Sequence, residues 1–215
     1  MRETVIKTIL SKKLIAIVRG LDEEKMIPLA KALCDGKINM IEVTFNQADP
    51  ASFSSTANAI RAISKQFGSA ILAGAGTVCT KEQLELAADA GALYIITPNT
   101  NPELIAEVRK MGLVSIPGAF TPSECMIAHN AGADFVKLFP IGNLGPEYLK
   151  AVRAPLSHIR FLGVGGINEN NVKDYLAAGA LGFGVGGNLV NKDWIAAGEF
   201  DKITALARKY VEAVS

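Results

Sequence analysis

Three junctions in this chain are near copies of one another: "DAGALYIIT" from Asp89, "NAGADFVKL" from Asn130 and "AAGALGFGV" from Ala177. In each, a helical pattern runs into a glycine and the chain then enters an apolar run. Glycine takes the left-handed conformation at little cost, so it stops a helix at that point. A junction that recurs in this form demands an architecture of alternating helices and strands.

The strands are legible as short apolar runs at 14–18, 38–45, 70–74, 93–98, 113–117, 135–140, 160–164 and 181–185. They lack clean alternation, as expected of parallel strands covered on both faces. Between them lie helical patterns with start and stop signals. "KEQLELAADAG" gathers Leu84, Ala87 and Ala88 on one face and ends at Gly91. "PELIAEVRKMG" gathers Leu104, Ile105 and Val108 and ends at Gly112. "TPSECMIAHNAG" opens with Thr121 and Pro122, carries Glu124 three residues after Thr121, and ends at Gly132. Eight such alternations predict a closed (β/α)8 barrel, a TIM barrel of the α/β class, as one domain over residues 1–215. The alternative is an open doubly wound sheet. Val5, Ile6, Ile9 and Leu10 predict a short amphipathic helix at the N-terminus.

Composition narrows the functional classes. The 215 residues carry a net charge of +1, which argues against nucleic-acid binding through bulk charge and against a polybasic membrane surface. No run approaches the length of a membrane span. The first ten residues have no long apolar core of the kind a secretory signal needs. Cys34, Cys79 and Cys125 are odd in number and form no C-x-x-C pair, which fits reduced thiols in a cytoplasmic protein.

In such a barrel, chemistry gathers where strands end and the following loops begin. Arg19 ends the first strand, and Glu42, Thr44 and Asn46 lie on or just after the second. "GAGT" closes the third at Thr77, "TPN" at 97–99 closes the fourth, and "GVGG" follows both the seventh and the eighth. Lys137 stands inside "DFVKLFP", where an ammonium is costly to bury without a partner. Taken singly, each has a plain reading: Lys137 and Arg19 facing solvent, Glu42 pairing with a surface lysine, glycines making tight turns. Gathered at one mouth they point to a desolvated amine beside an acid, with glycine N–H groups cradling a phosphate. "GFGVGG" also fits G-x-G-x-x-G, but no strand–helix–strand unit follows to make a dinucleotide site. His129 and His158 form no ligand-spaced cluster, so no metal is expected, and no G-x-S-x-G elbow is present.

In their order and spacing, "IEVTFN", "GAGTV", "TPN", "FVKLFP", "GVGGI" and "GVGGNL" resemble the KDPG/KHG aldolases over nearly the whole chain. These are class I, Schiff-base aldolases of 2-keto-3-deoxy-6-phosphogluconate (KDPG) and 4-hydroxy-2-oxoglutarate (KHG). The resemblance implies Lys137 as the Schiff-base lysine, Glu42 as the acid/base and Thr77 at the pyruvyl carboxylate. Gly165, Gly166, Gly186 and Gly187 would receive the phosphate, with Pro98, Phe139 and Asn188 as further substrate contacts. It implies a homotrimer, a small phosphorylated substrate and no cofactor. Three positions depart from the pattern. Asn46 replaces an arginine, Val164 a threonine and Asn188 a serine. Asn46, the "TPN" turn and the "GP" of "NLGPEYLKA" are similar to the 2-keto-3-deoxy-6-phosphogalactonate branch, and Arg19 could supply the cation missing at 46. An isomerase or epimerase using Glu42 without covalent lysine chemistry, and a non-catalytic phospho-ligand barrel, stay open on the residues alone.

Overall fold

Seven of these runs contain a strand in the computed structural model, which describes residues 1–215, and the run at 70–74 overlaps one that is displaced two residues onward. The strands are β1 (Leu14–Val18), β2 (Met40–Thr44), β3 (Leu72–Gly76), β4 (Tyr94–Ile96), β5 (Val114–Ile116), β6 (Gly118–Ala119), β7 (Val136–Leu138), β8 (Phe161–Val164) and β9 (Gly182–Val185). β5 and β6 are one run broken at Pro117, which has no N–H for the ladder. Its carbonyl still accepts from the Lys137 N–H at 2.8 Å. All pairings are parallel, in the order β5-β4-β3-β2-β1-β9-β8-β7-β6. Since β5 pairs with β4 and β6 with β7, the broken strand brings the two ends of the sheet together as a TIM-type barrel.

The helices are α1 (Arg2–Lys12), α2 (Glu23–Asp35), α3 (Phe53–Phe67), α4 (Lys81–Asp89), α5 (Pro102–Lys110), α6 (Pro122–Asn130), α7 (Gly145–Arg153), α8 (Val172–Ala177), α9 (Lys192–Ala196) and α10 (Phe200–Val214). The glycine stops take left-handed conformations as expected: φ is +92° at Gly91, +96° at Gly132 and +103° at Gly179. Thr121 and Glu124 form the capping box that their spacing implies, and Thr80 and Gln83 form a second. Each such cap is worth about 1 kcal/mol.

Two apolar layers result. The larger fills the space between strands and helices. The smaller is the barrel interior, where Ile15, Met40, Tyr94, Ile96, Val114, Phe135 and Leu162 meet Val5, Ile6 and Ile9 of α1. The amphipathic N-terminal helix thus closes one end of the barrel. Arg2 of α1 pairs with Asp134, as does Arg109 of α5 at 2.9 Å, and Asp134 Oδ2 also accepts from the Ser115 N–H at 3.0 Å. This junction ties α1 and α5 to the start of β7. The chain after β9 is largely helical. α10 buries Ile203, Ala207, Tyr210 and Val214 and packs on α2. No helix is long and apolar enough to cross a membrane.

Candidate active site

With α1 filling one end, the other end of the barrel opens as a cavity of about 770 Å³. Strand alternation decides what it contains, because residues two apart face the same way. On β2, Met40 belongs to the apolar interior and Glu42 is the next inward residue. Around β7, Phe135 belongs to that interior, Lys137 lies a layer higher, and Phe139 is at the rim. The two phenylalanines therefore share the face of Lys137. Its Nζ sits 5.0 Å from the centre of the Phe139 ring.

Lys137 is 7% exposed and Glu42 3%. Burial pushes the Glu42 carboxyl up to about 7, against the downward pull of Lys137 and Arg19. Burial likewise holds Lys137 below the ordinary lysine range. The Glu42 carboxylate opposes that fall, and the Arg19 guanidinium adds to it. Burial thus disfavours both charges, and the Glu42 carboxyl is brought into the neutral range. Glu42 Oε2 is buried with no hydrogen-bond partner in the protein, so it is free to exchange a proton with a bound molecule.

Arg19, Thr77, Pro98, Phe139, Gly165, Gly166, Gly186, Gly187 and Asn188 all line the cavity with Lys137 and Glu42. Arg19 Nη2 stands 3.5 Å from Thr77 Oγ1 and has no carboxylate partner. Asn188 Nδ2 donates to the Ile167 carbonyl at 2.9 Å and so joins the two glycine turns. Gly165 and Gly166 have φ of +91° and +75°. A side chain at Gly187 would meet nothing within 4 Å, so neither crowding nor backbone conformation requires glycine there. Open approach to its N–H remains as the physical reason.

Asn46 is the exception. It is exposed and outside the cavity lining, and its Oδ1 accepts from the Ala48 N–H at 3.2 Å. Its neighbour Gln47, also outside the cavity lining, touches a lining residue by donating to the Thr77 carbonyl at 2.6 Å. Gln47, Gln83 and Lys192 are additions that sequence reasoning passed over. Only Gln83 carried a usable signal, as the third residue of a T-x-x-Q capping box. Lys192 lines the rim near Arg19, its Nζ 3.7 Å from the point a β-carbon at Gly20 would occupy.

The histidines lie elsewhere, His129 against His158 at 4.8 Å between ring centres on the exterior. No group of three or more His, Cys, Asp or Glu is placed to hold a metal ion. Gly182 and Gly184, the start of the G-x-G-x-x-G match, lie in β9, where side chains would press on Lys13 O, Ile17 and Val164.

A TIM-type barrel whose open end holds a buried amine beside a buried carboxylate has the layout of a Schiff-base lyase. The chain belongs to the KDPG and KHG aldolase family, whose model matches residues 5–206, and it is a class I aldolase. It is 39% identical to the probable 2-dehydro-3-deoxy-6-phosphogalactonate aldolase of Rhizobium meliloti (strain 1021), covering 84% of this chain and 82% of that one. It is 38% identical to the KHG/KDPG aldolase of Escherichia coli (strain K12), covering 88% and 86%. KDPG aldolase from Legionella pneumophila, solved with pyruvate captured as a covalent carbinolamine intermediate, matches with a TM-score of 0.84 at 29% identity. That match covers 94% of this chain and 96% of that one.

Proposed function

We propose that the protein cleaves a 2-keto-3-deoxy-6-phospho sugar acid of the KDPG type, 4-hydroxy-2-oxoglutarate, or both. The products would be pyruvate with glyceraldehyde 3-phosphate or glyoxylate. The observation that carries this reading is the burial of Lys137 and Glu42 in one cavity, each biased toward its neutral form. In its neutral form the Lys137 amine attacks the C2 ketone, and loss of water from the carbinolamine leaves an iminium. Glu42, ionised, takes the proton of the C4 hydroxyl. The C3–C4 pair flows into the iminium, the aldehyde leaves, and an enamine remains. Protonation at C3 and hydrolysis release pyruvate and restore the amine. The iminium is the electron sink, so the scheme needs no metal.

Thr77 and Arg19 are assigned to the carboxylate of the pyruvyl unit, which a guanidinium can grip in bidentate fashion. The N–H groups around Gly165, Gly166, Gly186 and Gly187 are assigned to the phosphate, with Pro98, Phe139 and Asn188 as walls. Asn46 is kept as a contact to a substrate hydroxyl once substrate is bound. Val164 in the cavity lining favours a second reading, the galactonate epimer. A valine offers no hydroxyl where the KDPG type often has a threonine, so the C4 configuration would be read differently. The test is a panel of KDPG, its galactonate epimer and 4-hydroxy-2-oxoglutarate, with pyruvate release measured. Turnover of none of the three would overturn the proposal.

A cytoplasmic homotrimer completes the proposal. The exposed Phe120, Ile127 and Leu144 on neighbouring elements support an association surface. Sedimentation that gave a monomer at micromolar concentration would remove it.

A further inference from the structure

Thr77 has φ of +54°. For a β-branched residue this conformation persists only where neighbours hold it. The Thr77 carbonyl accepts a long contact from the Cys79 thiol at 3.6 Å, and the shorter holding contacts come from two glutamines. Gln83 is wholly buried, at 0% exposed. Its Oε1 accepts from the backbone N–H of Cys79 at 2.7 Å and of Thr80 at 3.3 Å. Its amide nitrogen must then point the other way, where it donates to Gln47 Oε1 at 2.9 Å. That leaves the Gln47 nitrogen as a donor, and it meets the Thr77 carbonyl at 2.6 Å. Each amide fixes the orientation of the next, because an amide has one accepting end and one donating end. The relay starts at two N–H groups opening α4 and ends at the carbonyl of the residue whose hydroxyl faces Arg19.

We propose that Gln47 and Gln83 are positioning residues for substrate binding. They fix the turn that aims the Thr77 hydroxyl, and with it Arg19, at the pyruvyl carboxylate. The inference rests on the assignment of Thr77 to that carboxylate. A loop brace of purely structural value would change stability alone. The relay changes affinity for one end of the substrate only.

The test runs the reaction in the condensation direction, varying pyruvate and glyceraldehyde 3-phosphate separately. It compares Gln47→Ala, Thr77→Ala and the double variant. Gln47 is exposed, so its loss leaves the core intact. Gln47→Ala is expected to raise KM for pyruvate roughly three- to tenfold, the worth of one hydrogen bond. KM for the aldehyde should stay within about twofold, and the double variant should show no more than the Thr77→Ala effect. Gln83→Glu keeps an acceptor for Cys79 and Thr80 but turns an oxygen toward Gln47, and should give the same split. An unchanged pyruvate KM in Gln47→Ala or Gln83→Glu overturns the relay while Thr77 keeps its assignment. So does a double variant in which the effects multiply. If Thr77→Ala itself leaves the pyruvate KM unchanged, the carboxylate assignment falls and the relay with it.

Discussion

Glu42 occupies the space that a side chain at position 76 would need: a β-carbon built on Gly76 would lie 1.7 Å from Glu42 Oε1. The two residues are neighbours across the β2–β3 ladder, where Glu42 pairs in register with Gly74 and Thr44 with Gly76. Glycine at 76 is what lets the carboxylate lie flat against β3. Gly76→Ala should therefore displace the carboxylate. Overpacking is expected to cost roughly 1–3 kcal/mol of stability, and the misplaced acid to cost roughly 10²-fold in turnover. Thermal unfolding and kcat measured on one preparation check both. A variant with normal turnover would separate the position of Glu42 from catalysis.

Pyruvate with borohydride should add one covalent group, on Lys137, since that amine is buried in the cavity and held below the ordinary lysine range. Peptide mass mapping locates it. An adduct on another lysine, or none, would sink the Schiff-base assignment, and Lys137→Met should show neither adduct nor turnover.

Glu42→Gln should lower turnover by roughly 10²–10⁴. The base must be ionised, so kcat/KM of the wild type should rise with pH and level off above about 7, where the Glu42 carboxyl titrates. That limb should vanish in the variant. Stability runs the opposite way. The folded-state pKa is raised above the ordinary 4.5, so between about 4.5 and 7 the unfolded chain gives up this proton first. Stability is lost as pH rises through that window and is level above it. Glu42→Gln should thus be more stable than the wild type at pH 8, by roughly 1–3 kcal/mol, and about equal to it at pH 4. Denaturant titrations at the two pH values decide this.

Arg19 is exposed at the rim and carries no ion pair. Arg19→Ala should leave the melting temperature within about 1 °C and lower kcat/KM by roughly 10- to 100-fold, as for a lost charge-assisted contact. Asn46→Arg should shift preference within the substrate panel toward KDPG. Unchanged kinetics in the first and an unchanged panel in the second would remove the idea that Arg19 compensates for the missing arginine.

Asp134 serves as a control at the closed end of the barrel. Its side chain is 4% exposed and holds Arg2, Arg109 and the Ser115 N–H. Asp134→Ala leaves two part-exposed guanidinium groups and the Ser115 N–H without their partner and should cost roughly 1–3 kcal/mol, while KM for the folded enzyme stays unchanged. A large KM change would mean that the two ends of the barrel are coupled.

The barrel and its buried pair were legible because they break or obey simple periodicities. A lysine within "FVKLF" and a glutamate within "IEVTF" contradict their surroundings, and barrel topology sends such residues to one mouth. The run at 113–117 was read as ending at Pro117, whereas pairing resumes at Gly118. A proline ends a hydrogen bond without ending a strand's direction, and residue type does not show this. Asn46 was placed in the site from its motif position. Past the end of β2, however, side-chain direction is set by loop backbone, and here the amide is turned to the Ala48 N–H. The Gln47–Gln83 relay was invisible because two uncharged residues 36 apart give no periodic or electrostatic signal. Ile203, Ala207, Tyr210 and Val214, by contrast, do carry a helical periodicity in the sequence.

The seal that α1 places on the far end of the barrel also governs traffic. A tube open at one end has no second exit, so both products leave by the route the substrate entered. On the proposed mechanism the three-carbon fragment would still be tethered to Lys137 after bond cleavage, so the aldehyde should depart first and pyruvate last. Free pyruvate should then compete with substrate for the empty enzyme, whereas the aldehyde should meet the loaded intermediate and inhibit in a mixed pattern.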